Sequence, residues 1–209
     1  MSSSAAHIPE LEHKAWSGDA AALAELFSQS RARLRRIVDA RMDQRLKGRV
    51  DPSDILQEAF VELARKLPSL REKSETPTMS MFVLMRLVTT ERVIVTHRRH
   101  IEAEGRDVRR ETPQNQAAAS SIFLAEHLLA VFGSAENRVI RDEMHRTLKK
   151  TLDEMDAMDH EIITMRCFEG LSNVEAAEAL EISQNGASSR FVRAISRLKK
   201  QLEAIPGFE

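Results

Sequence analysis

The last helix predicted from the sequence carries five basic side chains and no acidic one, within residues 182–202. Apolar side chains recur on one face at helical spacing, and polar or basic side chains occupy the other. Arg can donate two hydrogen bonds to guanine, whereas Ser, Asn and Lys reach bases or phosphates. The pattern predicts a helix that reads the DNA major groove, although a solvated charged face would give the same pattern. The polar face comprises Asn185, Ser189, Arg193, Ser196 and Lys200, flanked by Arg190 and Arg197.

A shorter helix is predicted immediately before it, in "GLSNVEAAEALEIS". Ser172 is a good N-cap, and Glu175 follows three residues later, which is the spacing of a capping box. Gly170 suits the end of the preceding helix, and Ser183 can cap the next one. The small pair Ala176-Ala177 lets the two helices approach closely. Together these signals predict a helix-turn-helix.

The sequence contains no recognisable catalytic arrangement. It has no glycine-rich phosphate loop, no nucleophile elbow and no metal-ligand cluster. His97 and His100 have no Cys or other His near enough to complete a zinc site, so we expect them to face phosphates beside Arg98 and Arg99. The single cysteine, Cys167, lies in an apolar helix pattern and is predicted to be a buried thiol. We therefore expect no enzyme activity, no cofactor and no metal.

Charge is segregated along the chain, although the formal net charge is only −1. Eight Arg or Lys residues lie in 31–49 and six Arg residues in 92–110, whereas 153–181 holds nine acidic residues against Arg166. Bulk charge cannot drive nucleic-acid binding here, and the blocks indicate surfaces with different partners. With one cysteine, no signal peptide and no membrane-length apolar run, we expect a cytoplasmic protein without a membrane partner.

The composition favours an all-α fold, because Tyr is absent and strong helix formers dominate. The stretch "DPSDILQEAFVELARKL", residues 51–67, predicts an amphipathic helix that Pro68 should end. A helix break is expected at Ser17-Gly18-Asp19. We predict two small helical domains joined by a linker, the second a helix-turn-helix. The predicted divisions are a loose N-terminus at 1–10, a first domain at 11–105, a polar linker at 106–134 that includes a short docked helix, and a second domain at 135–209.

Three stretches resemble one protein family. "DPSDILQEAFVELARKL" resembles the most recognisable segment of bacterial sigma-70 family transcription initiation factors, which has Asp, a hydrophobic pair, Gln-Glu and an aromatic residue. "FEGLSNVEAAEALEISQNGASSRFVRAISRLKKQL" looks like the fourth region of that family. "HRRHIEAEGRDVRRE" resembles the end of the second region in a subgroup abundant in planctomycetes. Because the chain is short and has only these two regions, it resembles the extracytoplasmic-function (ECF) class.

The resemblance implies core RNA polymerase and promoter DNA as partners, and an anti-sigma factor is common in the class. It places Asp54, Gln57 and Glu58 on the surface that grips the coiled-coil clamp helices of RNA polymerase's largest catalytic subunit. Loop 71–80 and the start of the next helix would meet the melted −10 element, where a pocket holds a flipped base. The implied −10 contacts are Phe82, Arg92, Arg98 and Arg99, and the implied −35 contacts are Ser188, Ser189, Arg190, Arg193 and Arg197.

Two features leave alternatives open. Many ECF factors carry a Trp near the start of the long helix, but "MSMFVLMRL" offers only Phe82 for stacking on bases. The acidic block 153–181 could face the polymerase or shield the recognition helix. A different class of function is a stand-alone helix-turn-helix regulator in which 11–105 senses a ligand or dimerises. Such a domain has no need of "DILQEAF" or of the basic helix end.

Overall fold

The computed structural model describes residues 3–42, 48–74, 76–104, 150–152 and 154–203, together with Leu46, Thr147 and Leu148. These residues form helices and no strand, as the composition predicts. No helix among them combines the length and apolar character that crossing a bilayer requires. The helices are α1 (Ser3–Ser17), α2 (Ala20–Arg41), α3 (Pro52–Lys73), α4 (Met81–Glu104), α5 (Ala157–Ile163), a π-helical turn (Thr164–Phe168), α6 (Asn173–Ala179) and α7 (Gln184–Leu202).

Local sequence signals set the first helix boundaries. Gly18 adopts a φ of +104°, a left-handed conformation that favours glycine, and separates α1 from α2. The Asp19 carboxylate then caps α2 by accepting the backbone N–H groups of Ala21 and Ala22 at 2.9 and 3.1 Å. Asp51 caps α3 in the same way, with Pro52 at the first helical position. The predicted break at 17–19 is thereby confirmed.

Helices α1–α4 form what we call the N-terminal unit, with one apolar core between them. The ring of Phe27 on α2 meets Phe60 on α3 edge to face, with centroids 5.2 Å apart. One stripe of α3 is buried because its apolar side chains recur at helical spacing. Its buried members are Ile55, Leu56, Ala59, Leu63 and Leu67.

Two predictions about this unit were wrong. Helix α3 does not end at Pro68 but continues to Lys73. The proline removes one backbone donor, and packing of Leu63 and Leu67 in the core offsets that loss. Residues 3–10, predicted to be loose, belong to α1, whose Leu11 and Ala15 are buried against the core. The predicted linker 106–134 and the short helix within it lie outside the described residues.

The C-terminal unit comprises α5, the π-helical turn, α6 and α7, together with the helical residues Leu148 and Leu152 that precede α5. The capping box is present: Ser172 Oγ accepts the Glu175 N–H at 3.2 Å, and Glu175 accepts the Ser172 N–H at 2.7 Å. Ser183 caps α7, and α6 and α7 pack as the predicted helix-turn-helix. The core of this unit contains Leu148, Leu152, Ile162, Ile163, Ala177, Ala187, Ala194 and Leu198.

The π-helical turn explains why one prediction failed. In an α-helix, Cys167 would lie four residues after the buried Ile163, on the same face. Here the Glu169 N–H bonds to the Thr164 carbonyl, five residues back. The shifted register packs Phe168 against the core instead, and Cys167 is exposed rather than buried.

Four charged side chains join the two units. Arg41 Nε and Arg86 Nε donate to the two carboxylate oxygens of Glu169 at 2.5 and 2.6 Å. Glu161 Oε1 accepts from Nη2 of the same two arginines at 2.6 and 2.8 Å. Both Arg86 and Glu169 are almost completely buried. We call this group the interdomain ion cluster.

Further contacts surround the interdomain ion cluster. Arg33 Nη2 donates to both carboxylate oxygens of Glu175 at 2.9 Å. Ser80 donates its backbone N–H and its hydroxyl to Glu178 at 3.2 and 2.8 Å. Three apolar residues of the C-terminal unit also join the core of the N-terminal unit: Met165, Leu171 and Ala176.

Truncating the core of α3 should destabilise the chain, whereas truncating its outer face should not. Leu63 is fully buried, while Val61, two residues earlier on the same helix, is 65% exposed. We expect Leu63→Ala to lower the free energy of unfolding by about 2–5 kcal/mol and Val61→Ala to change it by less than about 0.5 kcal/mol. Urea unfolding followed by circular dichroism measures both. Equal losses in the two variants would contradict the packing described here.

The stability that Glu161 contributes should be present at neutral pH and lost in acid. Burial alone would raise the pKa of this carboxyl, but Arg41 and Arg86 lower it to about 2 from an ordinary 4.5. Because the folded pKa lies below the unfolded one, the contribution is complete above pH 4.5 and disappears as the pH falls towards 2. Urea unfolding at a series of pH values should show this loss.

The control for the pH prediction is Glu161→Gln, which keeps the shape of the side chain but cannot titrate. We expect the free energy of unfolding of this variant to fall less steeply with acid than that of the wild type. The same pH dependence in both proteins would show that Glu161 is not responsible.

Candidate DNA and polymerase interfaces

The face of α3 opposite the core presents Asp54, Gln57 and Glu58 to solvent. All three side chains are exposed and follow one another at i, i+3 and i+4, so they form one patch. The buried stripe of α3 fixes the direction of this patch, and the Asp51 cap fixes the start of the helix. A rigid, partly acidic patch of this kind can bind basic and polar groups of a protein partner.

The basic end of α4 lies next to this patch. Arg99 Nη1 approaches Glu58 Oε2 at 3.4 Å, and both side chains are largely exposed. An exposed pair of this kind contributes little stability. The contact instead shows that the predicted polymerase-binding and −10-binding residues adjoin each other.

The other predicted −10 arginines differ in their surroundings. Arg98 is exposed near the end of α4. Arg92 is half-buried and lies 3.6 Å from Glu91, and its Nε, buried, has no hydrogen-bond partner. Among the predicted contacts of this region, Arg98 and Arg99 are thus the ones that solvent reaches readily.

Phe82, the predicted stacking residue, is covered. It is only 8% exposed, and the guanidinium of Arg33 lies over its ring, 3.6 Å from the centroid. Arg33 is held there by the bidentate contact with Glu175 of the C-terminal unit. The aromatic face is therefore hidden while the two units are in contact.

Trp16 is not among the site residues predicted from the sequence. This residue, near the end of α1, lines a cavity of about 200 Å³ with the loop that precedes α4. Burial raises the pKa of Glu12, a carboxyl in the same lining that also accepts the Met81 backbone N–H. The signal was available, since Trp16 is the only tryptophan of the chain. The remaining lining residues are Pro9, His13, Pro77, Met79, Ser80 and Met81.

Helix α7 exposes four of its five predicted DNA contacts, and Arg190 is half-buried. Ser188, Ser189 and Arg193 are exposed, and Arg193 Nε donates to the Ser189 carbonyl at 3.2 Å. Arg190 and Arg197, the second with a side chain that is 58% exposed, bind the buried carboxylate of Asp159 on α5, at 2.7 and 2.5 Å. These two arginines therefore hold α7 to α5.

The acidic residues of block 153–181 contact two different parts of the chain, α7 and the N-terminal unit. Asp156 and Asp159 face the recognition helix through Arg190 and Arg197. Four others contact the N-terminal unit: Glu161, Glu169, Glu175 and Glu178. Over the described part of the chain, no group of three or more His, Cys, Asp and Glu side chains could hold a metal ion.

The chain is similar in sequence or in fold to known proteins. The chain is 28% identical over 157 residues to RNA polymerase sigma-H factor of Pseudomonas aeruginosa, which covers 74% of this chain and 75% of that protein. It is 26% identical over 165 residues to ECF RNA polymerase sigma-E factor of Haemophilus influenzae, covering 77% and 79%. A solved structure of CnrH in complex with the cytosolic domain of CnrY resembles its fold at 18% identity, with a TM-score of 0.52 and coverage of 94% and 97%.

The family model described as "ECF sigma factor" matches residues 6–204. The match includes α1–α4 and α5–α7, the two sets of helices that carry the predicted polymerase and DNA contacts. The chain therefore belongs to the ECF sigma factor family.

Proposed function

We propose that the α3 patch of Asp54, Gln57 and Glu58 binds the clamp helices of core RNA polymerase, so that the chain directs transcription initiation. ECF sigma factors act by binding core RNA polymerase and promoter DNA. The observation that carries the assignment is the exposure of all three side chains on a helix whose opposite face is fixed in the core. A stand-alone regulator is not favoured, because the family match spans both units.

Within this function, α4 and the cavity beside Trp16 contact the −10 element. Arg98 and Arg99 are exposed to reach phosphates, with Arg92 behind them. The cavity is lined by the loop that the resemblance associates with a flipped base, and Trp16 provides the aromatic surface that the start of α4 lacks.

The C-terminal unit reads the −35 element through α7. Ser188, Ser189 and Arg193 point to solvent from a helix that enters the major groove in a helix-turn-helix. Arg190 and Arg197 position α7 through Asp159 and add positive charge near the phosphates.

Two narrower assignments complete the proposal. The segment "HRRHIEAEGRDVRRE" supports the planctomycete-like subgroup. An anti-sigma factor is a further proposed partner, supported by the structural neighbour, which was solved in complex with the cytosolic domain of CnrY.

The α3 patch is tested by binding to bacterial core RNA polymerase. We expect wild-type protein to co-elute with core polymerase on a sizing column and Asp54→Arg/Gln57→Ala to bind at least about tenfold more weakly, because a charge is reversed within the contact. The matched control is Glu25→Arg/Gln29→Ala, which makes the same changes at an exposed i, i+4 pair of α2. Equal loss in both variants, or no co-elution of folded wild-type protein, would contradict the proposal.

The α7 assignment predicts different effects for Arg193 and Arg197. Arg193→Ala should weaken binding of the holoenzyme to a promoter selected with the wild-type protein by about 1–3 kcal/mol, without lowering thermal stability. Arg197→Ala should lower thermal stability, because it removes a partner of the buried Asp159 carboxylate. Mobility-shift and calorimetric measurements separate the two effects. Unchanged promoter binding by Arg193→Ala would remove this residue from the −35 contact.

A further inference from the structure

We propose that Val192 is a specificity-determining residue of α7, and that it recognises a thymine of the −35 element through the C5-methyl group of that base. The inference rests on the proposed function and deepens it, because it requires α7 to enter the major groove of promoter DNA. It adds an apolar contact to the polar contacts proposed for Ser188, Ser189 and Arg193, and it names the base that this contact reads.

Val192 belongs to the outward face of α7. Each residue turns an α-helix by about 100°, so Val192 lies about 160° around the helix from Ala194, which is fully buried in the core of the C-terminal unit. Ser188 and Ser189 precede Val192 by four and three residues, which places the three side chains on one surface. All three are exposed. A surface that contacts DNA through the two serines therefore brings Val192 to the DNA as well.

The exposure of Val192 is not explained by the fold. The cores described for the two units do not include this side chain, which is 59% exposed. Among the exposed large apolar side chains in the described part of the chain, Val192 is the one that α7 carries. A β-branched side chain loses rotamer freedom in a helix, so an exposed helical position favours Ala, Arg or Lys over Val. Folding therefore gives no reason for valine here, whereas a partner with an apolar group does.

The other exposed side chains around Val192 are polar or basic, as a surface that reads base edges requires. They are Asn185, Ser188, Ser189, Arg193, Ser196 and Lys199. Isolated apolar side chains are common on protein surfaces and indicate no site by themselves. A compact apolar side chain within a hydrogen-bonding surface is different, because covering it there is favourable only against an apolar group of the DNA.

Thymine supplies that apolar group. Base edges in the major groove present hydrogen-bond donors and acceptors, and thymine adds a C5-methyl group that apolar side chains contact. Valine is already restricted at its one side-chain torsion, so fixing it against a methyl group costs little conformational entropy. Removing both apolar groups from water is favourable and needs no hydrogen bond. Valine at this position therefore favours thymine over cytosine, which lacks the methyl group.

The geometry of α7 also limits where the thymine lies. Val192 is about 5 Å along the helix axis from Ser188 and Ser189, because three or four residues separate them. Successive base pairs are about 3.4 Å apart, so this distance corresponds to one or two base pairs. We therefore expect the thymine within about two base pairs of the bases that the serines contact.

The test removes methyl groups from the DNA and from the protein, separately and together. The DNA is a promoter selected with wild-type holoenzyme, in which each thymine of the −35 element, on either strand, is replaced in turn by deoxyuridine. This replacement removes the C5-methyl group alone. The protein variant is Val192→Ala, and the matched control is Val174→Ala, at an exposed valine of α6. Mobility-shift measurements with each holoenzyme give the dissociation constants of all combinations.

We expect deoxyuridine at one position to weaken binding of the wild-type holoenzyme about threefold to tenfold. Val192→Ala should weaken binding to the unsubstituted promoter by a similar factor and should be insensitive to deoxyuridine at that position, because the two changes remove the same contact. Val174→Ala should keep both the affinity and the deoxyuridine effect of the wild type. The thermal unfolding temperature of Val192→Ala should stay the same or rise, since Ala is the better helix former.

Four results would overturn the proposal: a selected −35 element without thymine, a deoxyuridine effect that is equally large in the wild type and in Val192→Ala, unchanged promoter affinity of Val192→Ala, or a fall in its unfolding temperature. The last of these would show that the valine packs within the protein.

Failure of the proposed function gives a different result, since folded wild-type protein then does not co-elute with core RNA polymerase. Weaker promoter binding by Arg193→Ala, with wild-type binding by Val192→Ala, would keep the −35 assignment of α7 and remove Val192 from it.

Discussion

The arrangement of the two units depends on one buried group of charges, the interdomain ion cluster. Glu169 is completely buried, and its two carboxylate oxygens accept hydrogen bonds from Arg41 and Arg86. None of these three charged side chains could be buried without the other two. Burial alone would lower the pKa of Arg41, but Glu161 and Glu169 raise it above its ordinary value. Compared with an apolar contact of the same size, such a group adds little net stability, but it strongly specifies position because any displacement leaves a buried charge unpaired. This explains how a polar contact can orient one helical unit on another.

The same principle operates inside the C-terminal unit. Asp159 is buried and binds both Arg190 and Arg197, which fixes α7 against α5 by charge as well as by its apolar face. Two of the basic residues of α7 thus fix its position, while Arg193 and the serines are exposed and make no contact with α5, as the proposed DNA contact requires. Acidic and basic side chains from different blocks of the sequence form ion pairs in the folded chain, and the net charge near zero gives no indication of that pairing.

Local signals made much of the fold predictable from the sequence. The helix boundaries depend on signals that lie within a few residues of one another, so the sequence alone reveals them. These signals are Gly18 with Asp19, Asp51 with Pro52, and Ser172 with Glu175. The contacts of Arg41 and Arg86 with Glu169 join residues 128 and 83 positions apart, and no periodicity reveals them. The prediction that Cys167 is buried was wrong because tertiary packing accommodates a π-helical turn there. The prediction that α3 ends at Pro68 was wrong because tertiary packing accommodates a proline inside the helix. The cavity beside Trp16 was not predicted because the loop that lines it follows α2 and α3 in the sequence.

The proposed promoter contacts require the two units to separate. By their names the −10 and −35 elements are centred about 25 base pairs apart, which is about 85 Å at about 3.4 Å per base pair. A compact chain of this length has a radius of gyration of only about 17 Å, and the units share core residues and the interdomain ion cluster. The 29 residues of the predicted linker could extend to at most about 95 Å, enough for that span. Separation of the two units must therefore break the ion pairs that Arg41 and Arg86 form with Glu161 and Glu169. Paired charges suit that step because water, phosphate or a protein acid can replace each carboxylate, whereas the apolar contacts of Met165, Leu171 and Ala176 are lost to water.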